Sequence, residues 1–114
     1  MSILGTTSHA QNDLTLVCSG VRPNAPGFFF FGSAQQQTPL GNGFVCVGGS
    51  IFRLLPGVSA SPSGVLTRAI DYNLGTAQNL TPGTTWNFQV TYRDIAGGGA
   101  LFNLSDGLAV TFCP

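Results

Sequence analysis

Four consecutive phenylalanines between two glycines, Gly27-Phe28-Phe29-Phe30-Phe31-Gly32, constrain this chain more than any other stretch. The run is short and bounded by turn residues, which suits a strand. Successive side chains of a strand point to opposite faces, so Phe28 and Phe30 share one side while Phe29 and Phe31 share the other. Both sides therefore need cover. Phe44-Val45-Cys46-Val47 and Ile51-Phe52-Arg53-Leu54-Leu55 are also apolar on both sides. One face of the phenylalanine strand enters a core, and Phe29 and Phe31 are expected on the other, as an interface. Two covers are open for that face. Long loops of the same chain, over 33–40 or 73–80, can fold across it. Alternatively another chain or a neighbouring domain covers it, because contiguous apolar patches beyond a few hundred Å² usually mark contact sites.

The rest of the chain agrees with a β fold. Short apolar or alternating runs are separated by clusters of Gly, Pro, Asn and Ser, and no sustained helical period occurs. Strands are expected over Asp13–Ser19, Gly27–Gly32, Phe44–Val47, Ser50–Leu55, Val65–Tyr72, Trp86–Arg93 and Gly107–Cys113. In Trp86–Arg93 the residues Trp86, Phe88, Val90 and Tyr92 alternate with Asn87, Gln89, Thr91 and Arg93, the pattern of a strand with one dry side and one wet side. The expected fold is all-β, an antiparallel two-sheet sandwich of about seven strands with immunoglobulin-like or fibronectin type III-like topology. Residues 1–12 read as a polar leader or linker, placed before a single domain over 13–114. Turns are expected at several Pro and Gly clusters, among them Gly97-Gly98-Gly99.

Charge narrows the partners. Charged residues make up 7% of the chain, far below the roughly 25% of ordinary domains, and there is no lysine and no glutamate. With zero net charge and four scattered arginines there is no basic patch to attract nucleic acid. The same neutrality weakens repulsion between copies, so a homo-oligomer or a contact with a neighbouring domain is expected. No apolar run reaches the length of a membrane span.

Catalytic chemistry finds few parts. The single histidine, His9, precedes the first expected strand, and no GxSxG motif supports a Ser-His-Asp site. No catalytic residue, metal or cofactor is expected. A small glycoside hydrolase would need two of Asp71, Asp94 and Asp106 facing each other across a cleft. A calcium site from Asp94, Asn103 and Asp106 matches no established loop spacing. The three cysteines are too widely spaced for zinc. Cys18 shares a strand face with Leu14 and Leu16 and reads as a small buried hydrophobe. In an extracellular setting three disulfide pairings are possible, of which Cys46 with Cys113 is preferred. A polysaccharide platform could draw on Tyr72, Tyr92, Arg93 and Asp94, whereas Trp86 belongs to the core by its alternation.

Two resemblances follow from these motifs. Leu80, Pro82, Gly83, Thr84, Trp86, Phe88 and Val90 resemble the fibronectin type III pattern of a Leu-x-Pro-Gly-Thr turn before an alternating strand. Over nearly the whole chain, NDLTLVCSGVRPNAPGFFFFGS, GNGFVCVGGSIFRL and TWNFQVTYRDIAGGGALFNLSDGLAVTF together resemble a C-terminal module of large secreted proteins of planctomycetes and myxobacteria. That resemblance covers Cys46, Trp86, Tyr92, Arg93, Asp94, Ser105 and Asp106. It implies an extracellular or cell-surface location and a structural pairing of Arg93 with Asp106 at one end of the sandwich, and it supplies no activity. The expected function is a non-catalytic module for self-association or structural packing, with carbohydrate or surface binding as the alternative.

Overall fold

The computed structural model describes residues 1–94, 99 and 102–114. Two antiparallel sheets pack face to face. The smaller contains β1 (Ser2–Leu4), β2 (Thr15–Cys18) and β5 (Leu66–Ala69), in the order β1-β2-β5. The larger contains β3 (Pro26–Leu40), β4 (Gly43–Ser59), β6 (Thr85–Arg93), β7 (Phe102–Leu104) and β8 (Leu108–Thr111). Its order is β4-β3-β6, with β7 and β8 pairing along the far edge of β6. A short 3₁₀ turn spans Gly75–Asn79. Strands β1, β2 and β5 thus face β3, β6 and β8 in an all-β sandwich, with β4 lying beside β3.

The alternation that defines the strands also builds the core. Leu16, Cys18 and Leu66 from the small sheet, with Leu14 just before β2, meet Phe29, Phe31, Leu54, Phe88, Val90 and Val110 from the large one, with Phe112 just after β8. Phe31 stacks on Phe52 at 5.4 Å and meets the edge of Trp86 at 5.3 Å, packing that adds to the gain from area burial alone. Both glycines of the phenylalanine run are required by close approach. A Cβ at Gly27 would lie 2.5 Å from the Thr91 carbonyl oxygen, and one at Gly32 would lie 2.5 Å from the Gly48 carbonyl oxygen.

Three expectations change. Phe29 and Phe31, expected on the outer interface, are 1% and 0% exposed inside the sandwich, so Phe28 and Phe30 form the outer face. The reason is register. Phe29 and Phe31 lie opposite Leu54 and Phe52 on one side and opposite Val90 and Phe88 on the other, and these are the inward positions of their strands. Residues 1–12, expected as a leader, contribute a strand instead, because Ser2–Leu4 pairs with Thr15–Val17 and Ser8 bridges to Cys113. The expected strands Phe44–Val47 and Ser50–Leu55 are one strand, since Gly48 stays paired with Ala34 and the register shift between Gly32 and Ala34 absorbs the irregularity. Of the expected Gly97–Gly99 turn, Gly97 and Gly98 lie outside the described residues.

The edge of β4 is blunted by side chains. The Arg68 guanidinium donates to the Leu55 and Pro56 carbonyls at 2.9 and 2.7 Å, and the Thr76 hydroxyl donates to the Arg53 carbonyl at 2.7 Å. Carbonyls engaged in this way are not free to template pairing with another chain.

Candidate functional site: a groove on the outer face of the large sheet

Beyond the Phe28–Gly32 segment, β3 and β4 continue as a two-stranded arm that folds back across the outside of their own sheet. Gln89, the middle residue of β6, points outward and is 0% exposed. Its Oε1 accepts the Cys46 N–H at 2.8 Å, and its Nε2 donates to the Phe44 carbonyl at 2.8 Å and the Ser105 carbonyl at 2.6 Å. Asn87, two residues earlier on the same face, accepts from Gln35 Nε2 at 3.0 Å. At the tip, the Asn42 N–H donates to the Phe102 carbonyl at 3.1 Å. Amides on β6 thus fasten the arm where a polar side chain would otherwise stand exposed. They answer the question of cover for the second face: the β4 half of the arm lies over it, with Val45 and Val47 packed on Phe28 and Phe30, whereas residues 33–40, expected as a covering loop, form the other, exposed half of the arm.

The cover is incomplete. Phe30, Val47 and Leu104 form a second buried cluster beneath the arm, with Phe28, Val45 and Phe102 packed around it. Between the arm and the sheet lies a groove of about 760 Å³, walled chiefly by Phe28, Phe30, Leu40, Val45, Phe102 and Leu104. Its volume falls in the range of small-molecule sites, roughly 300–1,000 Å³. Two cations flank it. Arg53 lies opposite Phe30 on β4, with its guanidinium carbon 5.7 Å from the centre of the Phe28 ring. Arg93, at the end of β6, lies opposite Phe102. A smaller cavity of about 260 Å³ on the other side of the arm is lined by Gln35, Gln36, Cys46, Asn87 and residues 107–109.

The residues expected to bind are divided by the fold. Arg93 and Tyr92 line one end of the groove. Tyr72 lies at the opposite end of the sandwich, 3% exposed, stacked on His9 and edge-on to Phe112. Its phenol has no hydrogen-bond partner, and burial pushes its pKa up. Tyr72 is therefore core, and no aromatic platform joins it to Tyr92. Burial also raises the Tyr92 pKa. Asp94 accepts from Asn103 Nδ2 at 3.4 Å. The implied pairing of Arg93 with Asp106 does not form, because the Asp106 carboxylate takes the N-terminal ammonium of Met1 at 2.7 Å.

The remaining carboxylates hold turns. Asp13 accepts from the Thr6 backbone N–H at 3.1 Å and the Thr6 hydroxyl at 2.9 Å, which lower its pKa. Asp71 accepts from the Asn73 N–H at 3.0 Å and Asn12 Nδ2 at 3.2 Å, with the same effect. Among the described residues, no group of three or more His, Cys, Asp or Glu could hold a metal.

The preferred disulfide is absent, and all three cysteines are free. Cys46 is on the arm, its amide held by Gln89, whereas the Cys113 sulfur lies 3.6 Å from the Thr7 hydroxyl beside the N-terminal segment. The fold-back of the arm carries Cys46 to the outside of the large sheet, so the middle strand and the last strand do not bring their thiols together. Cys18 is buried as expected, and burial raises its thiol pKa.

The groove's main walls were not identified from sequence, apart from Arg93 and Tyr92. A usable signal was present in Gln89, a long amide in the middle of an apolar strand, and in Arg53, the lone charge in Ile51–Leu55. No helix among the described residues is long and apolar enough to cross a membrane. Comparison with protein-family models, curated proteins and solved structures gave no match to this chain.

Proposed function

We propose that the chain is a non-catalytic binding module whose working surface is the groove between the β3–β4 arm and the outer face of the large sheet. One observation carries this reading: an apolar groove of about 760 Å³ remains beside a cover that the protein holds in place with buried amide hydrogen bonds. A sheet face used only for packing gains nothing from such a gap, since voids lose dispersion contacts. The reading keeps the expected class, a contact module, and moves its surface from Phe29 and Phe31 to the groove. Of the three aspartates a hydrolase would draw on, Asp71 is engaged by Asn73 and Asn12, Asp94 accepts from Asn103 and Asp106 takes the N-terminal ammonium, which favours the non-catalytic reading. Placement as one module of a secreted protein rests on the sequence motifs.

Titration with Nile red, an uncharged dye whose emission brightens in apolar surroundings, tests the groove. Saturable binding is expected in wild type. Leu40→Asp should abolish it at an arm position exposed enough to tolerate the change. Absence of binding, or binding indifferent to Leu40→Asp, refutes the reading. Concentration-dependent mass in light scattering that Leu40→Asp abolishes, without dye binding, would give this face to a second copy.

A further inference from the structure

Resting on the groove as a binding site, we propose that its occupant is an amphipathic anion, an unbranched acyl chain ending in a carboxylate, with the head group held by Arg53 and Arg93. Of the neutral polar groups at and beneath the groove, Gln89 and Thr91 are already spent, which leaves the Tyr92 hydroxyl at one end. Gln89 uses its oxygen on the Cys46 amide and its nitrogen on two carbonyls, and the Thr91 hydroxyl donates to the Asn103 carbonyl. A neutral sugar, which needs hydrogen-bond partners spread along its body, would find few there. An acyl chain needs none.

The charge that lines the groove is cationic. The chain has four basic side chains, and two of them flank this groove. Arg68 is engaged with the Leu55 and Pro56 carbonyls. Among the described residues the one ion pair is Met1 with Asp106, so neither Arg53 nor Arg93 has a carboxylate partner. Arg53 also rests on the Phe28 ring, which draws its guanidinium from the level of Phe30 toward the end of the groove where Gly27 faces Tyr92, the end nearer Arg93. Toward the other end the arm and Gln89 close over Phe30 and Val47. An apolar body can therefore extend beneath the arm while its anionic end meets two guanidiniums in water, a charge arrangement complementary to a carboxylate.

The test compares decanoate with decanol, which share a chain and differ in the head group. Each is titrated into the full chain while the methyl signals of Leu40, Val45 and Leu104 are followed by NMR. Decanoate is expected to shift these signals and to bind about tenfold more tightly than decanol, the scale of one charge-assisted contact at a wet site. The double change Arg53→Gln with Arg93→Gln should bring decanoate to the affinity of decanol. Equal affinity of the two ligands for wild type, absence of decanoate binding, or decanoate affinity unchanged by the double change overturns the proposal. Nile red separates the two levels of failure. If the dye binds and decanoate does not, the groove stands and the ligand class falls.

Discussion

Replacing Gln89 by leucine tests the account of the arm directly, because a single side chain makes all three hydrogen bonds that tie residues 44–46 and 105 to the middle of β6. The substitution keeps an apolar body of similar size and removes one acceptor and two donated bonds. A hydrogen bond contributes a net of about 0.5–1.5 kcal/mol, and a buried partner left unsatisfied costs about 1–3 kcal/mol. Because the neighbouring arm can admit some water, the expected loss is about 2–4 kcal/mol. With urea slopes of about 1–3 kcal/mol/M, the unfolding midpoint should fall by about 0.7–4 M. Native-state hydrogen exchange supplies the local reading, since the Cys46 amide should lose protection ahead of the core amides of Phe88 and Val90. Gln89→Glu should cost more than Gln89→Leu at neutral pH, because a carboxylate would face the Phe44 and Ser105 carbonyls that the amide nitrogen now serves. A loss below about 0.5 kcal/mol for Gln89→Leu, the scale of an ordinary surface change, would refute the clamp. Unchanged Cys46 protection would refute it as well.

Three further outcomes are expected. Thiol titration without reductant should count three free cysteines in the unfolded chain, with the exposed Cys113 reacting first and the buried Cys18 only on unfolding; a melting temperature lowered by reductant would contradict the free thiols. Asp13 and Asp71 have lowered pKa values in the folded state, so the stability they contribute is present above the ordinary aspartate range and is lost as pH falls through the lowered values. Asp13→Asn with Asp71→Asn should accordingly flatten the acid limb of a melting-temperature profile, and an unchanged limb would refute the linkage. Tyr72→Phe removes a buried hydroxyl that has no partner and should be neutral or stabilising by up to about 1–2 kcal/mol in urea unfolding, whereas a loss of more than about 1 kcal/mol would mean that the hydroxyl is bonded after all.

Much of the fold was legible because local chemistry and tertiary packing agree. The alternation of Trp86, Phe88, Val90 and Tyr92 places those residues on the side facing the core cluster, where the structure has them. Cys18 lies with Leu14 and Leu16, as their common spacing required. The break expected between Phe44–Val47 and Ser50–Leu55 is absent because glycine marks both turns and bends, and only the opposing strand decides which. Ser2–Leu4 was missed because three residues carry too little pattern to announce a strand, and pairing with Thr15–Val17 makes it one.

The candidate site was mostly illegible for a related reason. A strand with phenylalanine at every position has no polar side to mark as outer, so period-two reading separates Phe28 and Phe30 from Phe29 and Phe31 without saying which pair faces inward. Local pattern was enough for a two-sheet β fold, a chain short of charge, and a phenylalanine strand that had to be covered twice. Tertiary structure alone decided that β6 and β4 set Phe29 and Phe31 inward, that Gln89 holds the arm over the other face, and that the arm stops short of closing it. Those outcomes depend on hydrogen bonds between residues more than forty positions apart, such as Cys46 with Gln89, and local pattern does not encode such separations.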